Sequence, residues 1–572
     1  MIEPASKKAK IDEDLCIGCG ICVNKCPYSA IAVLNLPDSW SDTLVHKYLT
    51  SGFQLFWLPS PKPGRILGIL GKNGAGKTTA LKILTGEIVP NLGHESADER
   101  AVITYFRGKE LQRYFTEVYA KRIRVAFKPQ YIENLKSEEK LSTYLAGSDS
   151  ELVMSFGLSG ILSRRMKDLS GGELQKAAIV HTASEDAGAY FFDEPASFLD
   201  VKERLQLGRA LARLAALGKY VVVVEHDLVV LDYLADYLTI IYGEAGAYGH
   251  VSNVYSARSG INAYLLGHLA SQNIRFRDSP VRFYKRSMPE MHERSEKLSW
   301  PVLEARYSSG FRLSILPGEI GRGEAIGVIG ENGIGKTTFV KKIYNHFQEK
   351  YFSGRPVGIS YKPQTISPKF DGSVEELFRT YAKAALDDRT FSTDVYESLR
   401  IPRLSQKLVS ELSGGELQRV AIVFALASRA DIYLLDEPSA YLDVEERIAV
   451  SKAVRRTVES RNAVSFVIDH DLSLIDYISD GLVLIDGVAG KSATAHAPAS
   501  LHDGLNTFLK QVGITFRRDK ETGRPRANKA GSNLDREQKS SGEYFYQSSF
   551  EESKPSEEPS QDGAMIFSEN ES

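Results

Sequence analysis

Cysteine is nearly missing from this chain of 572 residues: there are four, all between positions 16 and 26. So few thiols in so long a chain do not make a disulfide framework, and their clustering points to a metal or cluster site. Long apolar runs are missing as well. None approaches the ~18 residues that a membrane-spanning helix needs, and Tyr220–Val224 and Leu482–Ile485 are short enough to be buried strands. Ile31–Leu36 is too short for the apolar part of a signal peptide, and no small-residue cleavage pattern follows it. Neither charge sign dominates: 71 basic and 73 acidic residues leave −2. The remainder is 42% apolar and 25% charged, which excludes collagen-like and globally disordered classes. The length predicts roughly two to four domains, in a soluble, cytosolic protein without membrane spans.

The near-zero charge hides an uneven distribution. Residues 548–572 carry seven acids and one base, Lys554, so a tail at −6 masks a body at +4. Too few apolar residues stand there to offset ordering entropy, and the tail reads as disordered and solubilising.

Several phrases occur twice. Gly71–Thr79 (GKNGAGKTT) returns as Gly330–Thr338 (GENGIGKTT), Leu169–Gln175 (LSGGELQ) as Leu412–Gln418, and Tyr190–Pro195 (YFFDEP) as Tyr433–Pro438 (YLLDEP). Glu225–Leu228 (EHDL) returns as Asp469–Leu472 (DHDL). The chain therefore holds two copies of one domain. They differ mainly between the lysine of the first motif and the next glutamine, where the first copy is longer. The extra residues include Glu110–Arg122, in which Leu111, Tyr114, Phe115, Val118 and Tyr119 follow helical spacing and predict one apolar stripe. Arg107 and Lys109 stand beside a glycine turn just upstream. The insertion is either a docking element for a large partner or a helical decoration. Basic segments follow each copy: Asn273–Asp278, continuing through Arg282, Lys285 and Arg286, and Ile514–Asp519, continuing through Arg524, Arg526 and Lys529. They read as solvated linkers or as a repeated hinge.

Both glycine loops match G-x-x-x-x-G-K-S/T in a strand–loop–helix frame, with Ile66–Leu70 and Ala325–Ile329 as the strands. Gly71, Asn73, Gly74 and Gly76, and in the second copy Gly330, Asn332, Gly333 and Gly335, let backbone N–H groups face phosphates at a helix N-terminus. Lys77 and Lys336 are expected to neutralise phosphate oxygens, and Thr78 and Thr337 to place hydroxyls on Mg²⁺, with Thr79 and Thr338 completing the loops. Asp193 and Asp436, each ending an apolar strand, are expected to hold the metal. Glu194 and Glu437 are placed to orient or deprotonate the attacking water. His226 and His470 follow further strands and can reach the γ-phosphate side. The 24 residues from signature serine to glutamate are the same in both copies, which favours catalytic over structural roles.

The repeated Leu-Ser-Gly-Gly-Glu-Leu-Gln, followed by a helix, resembles the signature of the ATP-binding-cassette (ABC) superfamily. The resemblance implies two composite sites. One pairs Lys77, Thr78, Gln130, Asp193, Glu194 and His226 with Ser413 and Gly415. The other pairs Lys336, Thr337, Gln364, Asp436, Glu437 and His470 with Ser170 and Gly172. ATP binding would then close a clamp within a monomer whose cassettes form an intramolecular dimer. Ser197–Asp200 and Ala440–Asp443 look like the loops linking the sites. Phe53 and Phe311 sit where the superfamily stacks adenine, with Tyr48 as an alternative to the first.

Cys16, Cys19, Cys22 and Cys26, followed by Pro27, form C-x₂-C-x₂-C-x₃-C-P, the bacterial ferredoxin run for a 4Fe–4S cluster. Zinc is the runner-up. Joined to two cassettes without membrane spans, this run resembles the ABC subfamily E, the ribosome recycling factors also called RNase L inhibitors. Stretches such as NLPDSW, ALKILTGEIVPNLG and YFRGKELQRYF share in the likeness, which runs from about Leu15 to Phe545. The implied fold is α/β multidomain: two tandem ABC-type P-loop nucleotide-binding domains preceded by a small ferredoxin-like α+β iron–sulfur domain. The implied boundaries are 1–37 for the ferredoxin-like segment, 38–272 for the first cassette with its insertion near 95–125, and 273–300 for a hinge. The second cassette follows at 301–512, a C-terminal hinge at 513–547 and the acidic tail at 548–572.

The implied activity is ATP hydrolysis that drives ribosome splitting after termination, with roles in initiation and ribosome biogenesis. The implied cofactors are ATP, Mg²⁺ and the 4Fe–4S cluster. The implied partners are the ribosome, chiefly its small subunit and rRNA, together with termination and initiation factors. rRNA contacts through the insertion and the basic hinges would neutralise phosphates and weaken with salt. The implied location is the cytoplasm, with the nucleus as a second compartment. One departure stands out: the family carries eight cysteines for two clusters, and this chain has four. An incomplete start or a true shortening explains that better than zinc. Competing readings are the ATPase subunit of a transporter and an ATP-gated electron-transfer protein.

Overall fold

The computed structural model describes residues 43–546 except 50–51, 278–279, 284–296, 309 and 353–354. The four cysteines, the stretch Ile31–Pro37 and the acidic tail lie outside the described residues, as do Lys285 and Arg286.

Two nine-stranded sheets share one topology, each with a run of five parallel strands. In the first, Val125–Lys128, Ala189–Asp193, Tyr220–Val224, Ile66–Gly71 and Tyr237–Glu244 lie side by side in parallel. In the second, Ile359–Lys362, Ile432–Asp436, Val464–Ile468, Ala325–Ile329 and Gly481–Val488 repeat that order. Strands covered on both faces need continuous apolar runs rather than alternation. YVVVV at 220–224 satisfies this, VSFVI at 464–468 does so apart from Ser465, and every residue of both is buried. Burying each such Val, Ile or Phe side chain contributes about 1.5–3 kcal/mol. The strands read from sequence at Tyr220–Val224 and Ala325–Ile329 are observed with those bounds, and Leu482–Ile485 lies inside Gly481–Val488.

The insertion forms two helices, Glu99–Tyr105 and Glu110–Tyr119. Its predicted stripe exists: Leu111, Tyr114, Phe115 and Val118 are buried. The stripe covers its own cassette rather than awaiting a partner. The Tyr114 hydroxyl donates to the Leu84 carbonyl at 2.7 Å, and Phe115 stacks on Phe106 with ring centroids 5.4 Å apart. Arg100, Arg107, Arg113, Lys121 and Arg122 remain on the exposed side.

The strand Lys297–Trp300 pairs antiparallel with Gly318–Gly321, so residues that read as hinge in the sequence pack with the second cassette. The segment after the second cassette forms a three-stranded sheet, Phe516–Arg518, Pro525–Ala527 and Phe545–Tyr546, with the helix Asn533–Ser541. Both cassettes grip it. Asp232, on the helix Leu228–Leu234, accepts from Arg524 at 3.2 Å and from Arg526 at 2.6 and 3.1 Å. Asp476, on the related helix Leu472–Ile478, accepts from Arg518 at 2.8 and 2.7 Å. Arg524 and Arg526 are therefore buried in ion pairs, and their charge is used inside the molecule instead of being offered to RNA. Arg277 of the first basic run is likewise engaged, at 3.0 and 2.5 Å from Glu445.

Candidate active sites

Open parallel sheets bind ligands beyond the carboxyl ends of their strands, and both sets of motifs gather there. Ile66–Gly71 runs through the first glycine loop into the helix Lys77–Leu84, and Ala325–Ile329 through the second into Lys336–Gln348. Gly76 and Gly335 hold φ of 95° and 106° at the two helix N-caps, where a side chain would be strained. A Cβ would also stand 2.4 Å from Phe53 at the first position and 2.8 Å from Phe311 at the second. Both aromatics therefore lie against the glycine loops. Lys77 Nζ donates to the carbonyls of Gly71 at 3.0 Å and Lys72 at 2.8 Å, and Lys336 Nζ to those of Gly330 and Glu331, both at 3.0 Å. Each ammonium is thus held at the mouth of its loop.

The acidic pair comes next. Glu194 and Glu437 have φ of 47° and 48°, left-handed conformations that cost a non-glycine residue about 1–3 kcal/mol. Surrounding donors hold these turns. Lys128 Nζ reaches the carbonyls of Asp193 and Glu194 at 2.9 and 3.4 Å, and Gln175 Nε2 reaches those of Glu194 and Pro195 at 2.9 and 2.8 Å. Lys362 and Gln418 repeat this around Asp436 and Glu437. Burial, opposed by the neighbouring carboxylates, lowers Lys128 and Lys362 to about 8. Gln130 Nε2 and Gln364 Nε2 each donate to their own glutamate Oε1 at 2.8 Å.

Asp193 is pushed up to about 7, by burial first and then by the charge of Glu194, against Lys128, Lys77 and a hydrogen bond from Thr78. Asp436 is also raised by burial, although the Thr337 hydroxyl donates to its Oδ2 at 2.9 Å. Asp193 Oδ2 and Asp436 Oδ1 are buried without a partner. Among the described residues no group of three or more His, Cys, Asp or Glu forms a cage. One orphaned carboxylate oxygen beside one threonine hydroxyl fits Mg²⁺, which binds through one or two carboxylates and takes its other ligands from water and phosphate. His226 Nε2 stands 3.3 Å from Glu194 Oε1, and His470 Nε2 stands 3.7 Å from Glu437 Oε1. Burial and then the nearby lysine lower both histidines, His470 further, so both imidazoles are neutral at pH 7.

The two cassettes meet head to tail. Asp200 caps its helix by accepting from Glu203 N through Oδ1, while its Oδ2 accepts from Asn332 N of the other glycine loop at 2.9 Å. Asp443 does the same with Glu446 N and with Asn73 N at 3.1 Å. Asn332 Nδ2 also donates to the Phe198 carbonyl at 2.9 Å, and a Cβ on Gly172 would lie 3.8 Å from that Nδ2. The Ser170–Gly172 signature therefore faces the second glycine loop. On the other side, Asp443 and the Lys72–Glu445 ion pair at 3.2 Å bring the Ser413–Gly415 signature's cassette to the first loop. Ser170 and Ser413 cap the 14-residue helices Gly171–Ser184 and Gly414–Ala427 with reciprocal glutamate bonds, leaving helix N-termini suited to an anion.

Sequence reasoning passed over Lys128 and Lys362, although Lys-Pro-Gln precedes both loops and the repetition was visible. It also passed over Tyr307, the counterpart of Tyr48, whose hydroxyl lies 3.5 Å from Thr338 Oγ1.

Two P-loop cassettes that exchange loops reciprocally define the chain as a tandem ABC-type ATPase. Residues 60–197 and 313–440 match the ABC transporter family, and residues 9–32 match the 4Fe-4S binding domain. The chain is 43% identical to Translation initiation factor rli1 of Schizosaccharomyces pombe, over 95% of this chain and 93% of that protein. It is 41% identical to ABC transporter E family member 1 of Arabidopsis thaliana, over 95% and 92%. An archaeal ribosome recycling factor aABCE1, solved with the ribosomal stalk protein aP1, superposes at TM-score 0.83 with 45% identity, covering 89% of this chain and 99% of that one. A model of ribosome-bound archaeal Pelota and ABCE1 gives TM-score 0.88 with 46% identity, over 94% and 92%. The chain belongs to the E family of ABC proteins.

Proposed function

We propose that this chain is a ribosome recycling ATPase whose cassettes close on two ATP molecules and thereby drive subunit separation. The observation that carries the reading is the reciprocal bridge of Asp200 to Asn332 and Asp443 to Asn73. Each glycine loop is completed by the opposite cassette, so nucleotide at either site bears on the contact between them.

In each site the loop amides and Lys77 or Lys336 take the phosphates, while Phe53, Phe311 and the paired Tyr48 and Tyr307 lie on the base side. Thr78 with Asp193, and Thr337 with Asp436, would hold Mg²⁺, which when bound neutralises phosphate charge. Glu194 and Glu437 accept a hydrogen bond from the attacking water, each oriented by the amide of Gln130 or Gln364. Neutral His226 and His470 can donate to the γ-phosphate oxygens, and the Ser170 and Ser413 helix N-termini cover the opposite face. Cys16, Cys19, Cys22 and Cys26 are proposed to bind iron–sulfur, within the segment that matches the 4Fe-4S family.

The ribosome enters through the relatives: one is named a translation initiation factor, and two solved neighbours are described with a ribosomal stalk protein and on a ribosome with Pelota. The exposed arginines and lysines of the insertion supply a phosphate-neutralising surface. We place the protein in the cytoplasm on the same ground. The test is sedimentation of the full chain with purified small subunits and a non-hydrolysable ATP analogue. Cosedimentation that falls with salt and is lost in Lys77→Ala/Lys336→Ala supports the reading. Absence of cosedimentation with intact analogue binding rejects the ribosomal part. Iron and acid-labile sulfide in anaerobically purified protein test the cysteines, and zinc without iron would reject the cluster.

A further inference from the structure

Arg204 lies on the helix Val201–Ala216, four residues after Asp200, with its side chain only 13% exposed. Its donors reach three different loops. Nε donates to the Leu199 carbonyl at 2.9 Å, within the loop that carries Asp200. Nη1 donates to Asp227 Oδ2 and also to the His470 carbonyl of the second cassette at 3.1 Å. Asp227 follows His226 directly, and its Oδ1 accepts from Val229 N at 2.9 Å and Val230 N at 3.0 Å. Asp227 and the histidine before it are therefore locked to the start of the helix Leu228–Leu234. One planar guanidinium thus ties together the Asp200 loop, the His226 loop of its own cassette and the His470 loop of the other.

The duplicated residue, Arg447, reproduces only part of this. Its Nε donates to the Leu442 carbonyl at 2.9 Å, and its Nη1 to Asp471 Oδ2 at 2.9 Å. Among the described residues it makes no bond to the His226 main chain. Two copies of one sequence pattern therefore give one arginine hydrogen-bonded to both histidine loops and one whose hydrogen bonds stay within its own cassette, although its charge reaches Glu194 and Asp227 of the other.

We propose that Arg204 is a positioning residue that couples the two ATP sites, and that Arg447 does not share this role. The proposal rests on the composite-site reading above. A shift of the His226–Asp227 loop as nucleotide fills the first site must carry the guanidinium with it or break a charge-assisted bond, and the same rigid group holds the His470 main chain. Coupling between sites is reciprocal, so filling the second site acts back along the same path. Lysine cannot replace the bridge, because an ammonium is a point charge without the fixed fork that serves several acceptors at once.

The test uses the full chain carrying Glu194→Gln and Glu437→Gln, which binds nucleotide without consuming it, titrated with fluorescent mant-ATP. The expected parent Hill coefficient departs from one. Arg204→Lys brings it to one, removing a coupling of about fivefold or more, while Arg447→Lys leaves it at the parent value. Arg204→Gln, with thermal melting as a control for folding, is expected to repeat the Arg204→Lys result. A Hill coefficient unchanged by Arg204→Lys, an equal loss in Arg447→Lys, or a value of one in the parent overturns the proposal. Failure of mant-ATP to bind the parent at all overturns the composite sites themselves, and the bridge with them.

Discussion

The two ATP sites are built from the same motifs, yet their glutamates stand in different electrostatic settings. Burial raises any carboxylate, and at Glu437 burial wins despite the hydrogen bond from Gln364. At Glu194 burial is overcome by His226 at 3.3 Å, with Lys77 and Arg447 adding their charges, and the group is held at about 2. The difference in histidine approach, 3.3 against 3.7 Å, accompanies a reversal in the direction of the shift. Duplicated chemistry therefore does not imply duplicated behaviour; the neighbours of a repeated pattern set how readily each copy ionises.

The severest way to break the comparison is to remove both glutamates. Glu194→Gln/Glu437→Gln is expected to lower phosphate release by about 10²–10⁴-fold while nucleotide still binds, and turnover near the parent rate would reject both assignments. Next comes the grip on the C-terminal segment. Asp232→Asn removes the carboxylate that Arg524 and Arg526 share and leaves Arg526 only the longer 3.4 Å pairing with Asp519, an expected loss of about 3–5 kcal/mol in urea unfolding. Asp476→Asn strands Arg518 and should cost less; equal costs would show that the two cassettes hold the segment alike.

The pH dependence sharpens the contrast between the sites. In Glu437→Gln only the first site should turn over, and its proposed base Glu194, with a lowered pKa, stays ionised down to low pH. In Glu194→Gln only the second site works, and Glu437, with a raised pKa, takes its proton earlier as pH falls. The acid limb of hydrolysis should therefore lie at higher pH for the second site, and coincident limbs would refute the electrostatic difference. The smallest effect belongs to the rings that meet between the linking loops. Phe198 and Tyr441 have centroids 6.0 Å apart, edge to face, and Phe198→Ala should weaken analogue-driven closure by about 0.5–1.5 kcal/mol, read as a higher half-saturation concentration.

Much of this was legible beforehand. The glycine loops, the acidic strand ends and the signature helices are local patterns, and the strands at 220–224 and 325–329 followed from unbroken apolar runs between turns. The insertion's stripe was legible as a stripe, but its destination was not, because helical spacing shows that a face is apolar and not what covers it. The basic runs misled in the same manner. Arg524 and Arg526 look like solvated charge until Asp232, far away in sequence, is seen beneath them. Lys128 and Lys362 were hidden by their type: a lysine in a strand reads as surface, and only the carbonyls of the acidic turn make its burial tolerable.

By itself the sequence determined that there are two P-loop cassettes, which residues gather around each glycine loop, and that a ferredoxin-type cysteine run precedes them. Those features depend on spacing over a few dozen residues, and backbone geometry translates such spacing directly into a shared face or a shared loop. Only the tertiary structure decided that Asp200 completes the glycine loop of the other cassette and that Asp232 and Asp476 bind the C-terminal arginines. It alone also decided that Glu194 and Glu437 shift in opposite directions. Hydrogen bonds and Coulomb interactions depend on distances of a few ångströms between groups separated by hundreds of residues, and chain folding alone sets those distances.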